Sequence, residues 1–210
     1  MKIIAVTLRV DKIKNYNETR DSLDQRWTKL LSELNLLPVF IPNTLSQEQI
    51  KNILEKFNFQ GLLLTGGNDL STLDEASNIS IERDSTEKEL IDHFITRNLP
   101  VLGICRGMQM IWTYFGGRLY KQEDRLNSMN KITYKDGKYN EEFVVECFNT
   151  FTPLESSTPD KILITGKSSQ GFIEAISHKE LKVKGLMWHP ERKKSLSKID
   201  KQIIFDLFFK

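Results

Sequence analysis

Cysteine and histidine are scarce in this chain, with two and three respectively among 210 residues. Two cysteines, Cys105 and Cys147, make no disulfide framework, and a single domain of this length builds its core without one. Charge of one sign is lacking too: 30 Lys and Arg stand against 28 Asp and Glu, a formal net charge of +2. The basic residues are scattered, and Lys193 and Lys194 are the only adjacent lysines. That distribution excludes a nucleic-acid or membrane-surface footprint. No apolar run approaches membrane-spanning length, and the one at Ile3–Val6 is too short for a signal peptide. No cluster of His, Cys and carboxylate has ligand spacing, so neither a metal nor an organic cofactor is expected. A hydrophobic share of 39% and a charged share of 28% are those of a soluble globular protein.

What is there alternates. Ile3–Val6, Pro38–Ile41, Gly61–Leu64 and Pro100–Ile104 are short apolar runs separated by helical patterns. Tyr16–Leu36 carries Leu23, Trp27, Leu30, Leu31 and Leu34 at three- and four-residue spacing, which predicts a helix. Ser46 and Gln49 form a capping-box pair opening a second helix. Asp84 or Thr86 is the expected cap of a third, running to about Asn98. Continuous apolar strands between helices predict an α/β fold with a parallel central sheet covered on both faces. The second half turns antiparallel, with a hairpin over Ile132–Tyr134, Asp136-Gly137 and Phe143–Cys147. Strands follow at Lys161–Thr165, Gly171–Ser177 and Lys184–Trp188, then a last helix from about Leu196 to Phe209. Residues Lys121–Tyr139, polar and Lys-rich, read as the most mobile surface segment.

Pro100-Val101-Leu102-Gly103-Ile104-Cys105-Arg106-Gly107-Met108-Gln109 has the layout of a nucleophile elbow, a strand, a sharp turn and a helix. Gly103 and Gly107 let backbone pass close to Cys105, and the following helix N-terminus favours a thiolate. A cysteine closing a buried strand is more often inert core, so a thiolate that attacks a carbonyl must be matched by a base, an orienter and oxyanion donors. His93 lies mid-helix and His178 in a turn, and both read as structural or solvated. His189 lies in Met187-Trp188-His189-Pro190-Glu191, directly after an apolar strand. The proline prevents helix continuation and lets the imidazole and the Glu191 carboxylate project together. Leu64-Thr65-Gly66-Gly67-Asn68-Asp69 ends the third strand with a glycine pair that turns amides into the crevice where open α/β sheets bind ligands. Alone it would be an ordinary β-turn.

Together these residues resemble the class I (triad) glutamine amidotransferase superfamily, and within it the γ-glutamyl hydrolase-like group. Further matching pieces are Thr7-x-Arg9, Arg83-Asp84 with Glu87, Gly116-Gly117-x-Leu119-Tyr120 and Gly171-Phe172-Ile173-Glu174-Ala175. The resemblance covers nearly the whole chain. It implies a flavodoxin-like sheet flanked by helices with a smaller antiparallel sheet, in one domain over 1–210. A thiol nucleophile needs a reducing compartment, so a cytoplasmic location is expected. It implies Cys105 as nucleophile, His189 as base and Glu191 as orienter, with the Gly67 and Arg106 amides as oxyanion hole. Gln109 would touch the γ-glutamyl group. Members usually carry Asn-Ser-aromatic-His-His-Gln where this chain reads Asn149-Thr150-Phe151-Thr152-Pro153-Leu154. The Asn149-Thr150-Phe151 half is kept and would hold the glutamate end. The two histidines are gone, which points to an unusual leaving group.

The implied reaction is hydrolysis of a small-molecule γ-glutamyl amide to release glutamate. The overall impression is of members that act on a nucleotide-linked γ-glutamyl amidate in capsule phosphoramidate synthesis. Arg9, Arg106, Lys121, Lys131 and Lys135 are then the cations to meet a phosphorylated leaving group. Two other readings stand beside it: a glutaminase subunit delivering ammonia to a partner synthetase, and a hydrolase of another γ-glutamyl conjugate. A catalytically dead ligand-binding relative is opposed by the intact Cys105, His189 and Glu191.

Overall fold

The computed structural model describes residues 1–122, 128–193 and 195–210. The short apolar runs become strands because each is too short for a helix, and all but the edge strand at Leu36–Ile41, where Leu37 and Phe40 stay exposed, are largely buried. They are β1 (Lys2–Thr7), β4 (Leu36–Ile41), β5 (Leu62–Leu64) and β6 (Val101–Ile104). Between them lie α1 (Arg26–Glu33), α2 (Gln47–Lys56) and α3 (Ile81–Thr96), with α4 (Arg106–Tyr114) after β6. The Ser46–Gln49 capping box forms as expected, each side chain taking the other residue's backbone N–H.

A single nine-stranded sheet runs in the order β4-β1-β5-β6-β13-β12-β11-β8-β9. Its first five strands are parallel, including β13 (Val183–Leu186). Its last four join antiparallel: β12 (Ile173–His178), β11 (Ile162–Ser168), β8 (Ser128–Lys135) and β9 (Asn140–Cys147). The second-half strands thus extend the central sheet. A separate antiparallel pair is made by β7 (Leu119–Lys121) and β10 (Phe151–Pro153). The chain closes with α5 (Lys198–Phe209), capped by Ser197, whose hydroxyl accepts from the Asp200 N–H. No helix among the described residues is long and apolar enough to cross a membrane.

Three expectations are corrected. Tyr16–Leu36 is not one helix. Residues 9–22 form a hairpin of β2 (Arg9–Ile13) and β3 (Glu18–Ser22), closed by a tight turn and a left-handed Asn17 (φ 49°), and only Arg26–Glu33 is α-helical. The stripe at Trp27, Leu30 and Leu31 is the buried face of that shorter helix. Helix α3 starts at Ser80, whose hydroxyl accepts from the Arg83 N–H, not at Asp84 or Thr86. Asp84 and Thr86 are both buried one turn further on. Within Lys121–Tyr139, residues 123–127 lie outside the described residues, but 128–135 form strand β8 with Ile132 and Tyr134 in the core. Lys194 also lies outside the described residues.

Register decides where the site can be. Ile104 pairs with Leu186, and Gly103 pairs with Leu64. The elbow, the His-Pro-Glu segment and the glycine pair therefore leave the same end of three adjacent parallel strands, their carboxyl ends.

Candidate active site

Cys105 sits between β6 and α4 with φ 52° and ψ −106°, a conformation an L-residue holds only when its surroundings enforce it. They do so through close backbone contact. A Cβ on Gly103 would lie 2.4 Å from the Gly107 carbonyl oxygen, and one on Gly107 would lie 2.2 Å from the Leu64 carbonyl oxygen. The Cys105 N–H donates to the Leu186 carbonyl at 2.7 Å, which ties the turn to β13.

His189 and Glu191 lie one strand away. The His189 ring faces Cys105 on one side, both residues packing against Gly66. On the other, its Nδ1 lies 2.6 Å from Glu191 Oε1, and all three side chains are buried. Burial on its own depresses the imidazole pKa, but the Cys105 sulfur and the Glu191 carboxylate outweigh it and raise the value to about 9. A protonated imidazole is the form that pairs with a thiolate. The segment is anchored from below by the Trp188 indole N–H, which donates to buried Asp200 at 2.8 Å. Phe148 packs edge-on against the imidazole with centroids 5.7 Å apart, and the Arg192 guanidinium lies over the Phe148 ring, 4.2 Å from its centroid.

The glycine pair packs directly on these groups. A Cβ on Gly66 would meet His189 Cε1 at 2.7 Å and Cys105 Cβ at 3.5 Å. Arg83, fully buried, donates to the carbonyls of Thr65 (2.7 Å), Gly66 (3.2 Å) and Gly67 (2.5 Å) and to Asn68 Oδ1 (3.0 Å). Its Nε donates to Glu87 at 2.9 Å. The Arg106 guanidinium is ion-paired with Glu87 and Asp84 beneath the elbow. That burial corrects one expectation: the Arg106 side chain is structural and does not meet a leaving group.

Of the expected substrate contacts, three converge. Gln109 Nε2 and Asn149 Nδ2 both donate to the Phe151 carbonyl, at 2.8 and 2.9 Å. Thr150 lies between them and accepts from the Gln122 N–H through its carbonyl at 2.6 Å. Arg9 reaches the other side of the triad: its guanidinium lies about the Gly67 backbone, 3.1 Å from where a Cβ there would be. A small cavity of about 50 Å³ is lined by Arg9, Gly66, Gly67, His189 and Glu191. A larger one of about 470 Å³ opens along Phe151, Tyr120, Thr113 and Lys121. Lys121 is held there by Glu75 at 2.8 Å, whereas Lys131 is paired with Glu142 on the distant hairpin strands. Lys135 also lies on that hairpin, in β8. His93 and His178 stand apart from the site. His178 Nδ1 accepts the N–H groups of Glu180 and Leu181, which is a structural role.

Sequence reasoning missed the residues that hold this site from a distance in the chain: the β2–β3 hairpin carrying Arg9, Phe148 over the imidazole, and Asp200 under Trp188. Only Asp200 had a local signal, its position three residues after Ser197 at a helix start.

The peptidase C26 family model matches residues 2–147 of this chain. Among curated proteins, the chain is 33% identical over 205 residues to the γ-glutamyl-CDP-amidate hydrolase of Campylobacter jejuni, covering 98% of this chain and 96% of that one. It is 29% identical over 202 residues to anthranilate synthase component 2 of Cyanophora paradoxa, covering 91% and 94%. Among solved structures, a GMP synthase-type protein from Thermoplasma acidophilum superposes with a TM-score of 0.72 at 21% identity, covering 99% of this chain and 92% of that one.

Proposed function

We propose, from the premise that this chain belongs to the peptidase C26 family of class I glutamine amidotransferases and is a hydrolase of amide bonds, that it cleaves a γ-glutamyl amide with a Cys105–His189–Glu191 triad. The observation that carries the reading is the buried imidazole held between the Cys105 thiol and the Glu191 carboxylate. The Cys105 thiolate attacks the γ-carbonyl carbon, and the carbonyl π pair moves onto oxygen, where the Gly67 and Arg106 N–H groups receive it. The His189 imidazolium gives its proton to the departing nitrogen as the C–N bond breaks, leaving a γ-glutamyl thioester and a neutral imidazole. That imidazole takes a proton from water as the water oxygen attacks the thioester. Collapse breaks the C–S bond, frees glutamate and restores the ion pair.

The glutamate end belongs with Gln109, Asn149, Thr150 and Phe151, where the Gln109 and Asn149 amides both donate to the Phe151 carbonyl. For the leaving group we favour a nucleotide-linked amidate, as in the name of the Campylobacter jejuni relative, and we extend this to a part in capsule polysaccharide modification. Arg9, beside Gly67, supports this, since an exposed guanidinium at the rim of the triad suits a phosphorylated group. The test is glutamate release from γ-glutamyl-CDP-amidate, its phosphate-truncated analogue, a polyglutamate and glutamine in one buffer. The nucleotide conjugate should have by far the highest kcat/KM.

A second reading has its own support in the likeness to anthranilate synthase component 2 along nearly the whole chain. In it, the chain is a glutaminase that passes ammonia to a partner synthetase. Glutamine turned over as well as the nucleotide conjugate, and faster when a synthetase is added, would select it.

A further inference from the structure

The buried ion cluster behind the site has no part in the mechanism above, although it is among the most completely buried polar groups of the protein. Arg83, Glu87 and Arg106 are each at most 1% exposed, and Asp84 is 4% exposed. Such a cluster is costly to desolvate and adds little to stability over apolar residues of the same volume, so its geometry asks for another explanation.

That geometry is specific. One guanidinium takes three successive backbone carbonyls, those of Thr65, Gly66 and Gly67, and its Nε is fixed by Glu87. In a trans peptide the C=O and the next N–H point in opposite directions. With the Gly66 carbonyl turned to Arg83, the Gly67 N–H must point away from it, and the side chains packed on Gly66 are His189 and Cys105. A Gly-Gly pair has no intrinsic preference to hold that orientation. Glu87 also holds Arg106, whose N–H is the second donor, and accepts from the Thr7 hydroxyl at 2.9 Å. Asp84, the other partner of Arg106, accepts from the Ser71 N–H at 2.7 Å, just beyond the glycine strap.

We propose that Arg83 is a positioning residue that sets the oxyanion hole by gripping the carbonyl side of the Thr65–Gly67 strap, with Glu87 joining it to the Arg106 donor. This rests on the reading of Cys105 as the nucleophile.

The experiment is Arg83→Lys, which keeps the charge but loses the planar fork, with Glu87→Gln as the second variant should the first not fold. Three readouts are compared with wild type. Glutamate release should show kcat lowered about 10²-fold with KM changed less than about threefold, as for loss of an oxyanion donor. Alkylation of Cys105 by iodoacetamide, which needs a thiolate but no oxyanion hole, should stay within about twofold. Amide hydrogen exchange in a peptide spanning 62–70 should quicken. Unchanged exchange, unchanged kcat, or a parallel fall in alkylation and kcat would each overturn the proposal. An unreactive Cys105 in wild type, or wild type releasing no glutamate from any γ-glutamyl amide, counts against the triad reading itself. The exchange comparison still decides whether Arg83 holds the strap.

Discussion

Glu191 Oε1 lies 2.6 Å from His189 Nδ1, and the two residues are separated by one proline in the chain. The proline opens a short 3-10 turn, Pro190–Arg192, so the carboxylate swings back under the imidazole of the residue before it. The arrangement is local and needs no third element. What needs the rest of the fold is its burial, which strengthens the interaction of the imidazole with Glu191 on one side and with the Cys105 sulfur on the other.

Because Glu191 raises the His189 pKa against the effect of burial, its removal should lower it. In wild type the alkaline limb of kcat/KM should fall near pH 9, where the imidazolium loses its proton. Glu191→Gln should move that limb to lower pH and reduce kcat by about 10²-fold or more. Stability carries the same signature. The folded pKa stands above the unfolded value near 6.5, so this group's contribution is complete below about pH 6.5 and is lost as pH rises through about 9. An NMR titration of His189 in wild type and Glu191→Gln checks both. An unshifted midpoint would remove the carboxylate as the cause.

Cys105→Ala should abolish turnover, by on the order of 10⁴-fold, while the folded protein persists. Residual activity above about a tenth of wild type would take Cys105 out of the mechanism. Cys147 lies in the core of β9 beside the Asn130 amide at 3.1 Å, and Cys147→Ala should leave kcat unchanged. Iodoacetamide should label Cys105 well ahead of Cys147 near neutral pH, and His189→Asn should slow that labelling. Mass spectrometry of tryptic peptides reads both rates at once.

Gly107→Ala and Gly103→Ala should each cost about 1–3 kcal/mol or more, since the new Cβ would meet backbone oxygens at 2.2 and 2.4 Å that cannot swing aside. Gly137→Ala, in the open turn between β8 and β9, meets no heavy atom within 4 Å and should cost only the strain of its φ of +84°, about 1–2 kcal/mol. Urea midpoints rank the three variants. A Gly107→Ala protein as stable as wild type would mean that β5 does not press on the elbow.

The elbow, the His-Pro-Glu segment and the Ser46 capping box were legible in the sequence because each is specified within ten residues. So were the strands of the central sheet, which declare themselves by apolar runs between helices. The β2–β3 hairpin was not. Its residues are polar, and what makes them a hairpin is side-chain bonding to distant loops: Asn68 pairs with both backbone groups of Val10, and Asp21 holds Asn43. With those contacts invisible, the apolar spacing of the following helix extended backwards over it. The Arg83 grip was hidden for a similar reason, since the motif shows which residues occur but not that the first turn of α3 faces the carbonyls after β5.

Arg9 supplies the test of leaving-group chemistry. Asp11 takes its Nε at 2.9 Å and in turn accepts from Ser22 at 2.5 Å, so the hairpin fixes the guanidinium at the Gly67 end of the site. Its side chain is 40% exposed, and a charge there can meet a phosphate while the thioester forms on Cys105. A charge-assisted bond lost from that contact corresponds to roughly 10- to 100-fold. Arg9→Gln should therefore lower kcat/KM for a phosphorylated γ-glutamyl conjugate by that factor and leave glutamine hydrolysis within about twofold. Added salt should slow the wild type on the phosphorylated substrate and affect Arg9→Gln less, because the screening length shrinks from about 10 Å at 0.1 M to about 3 Å at 1 M. Equal losses on both substrates would mean that Arg9 acts on the glycine strap rather than on the leaving group, and the phosphorylated substrate class would lose its main structural support.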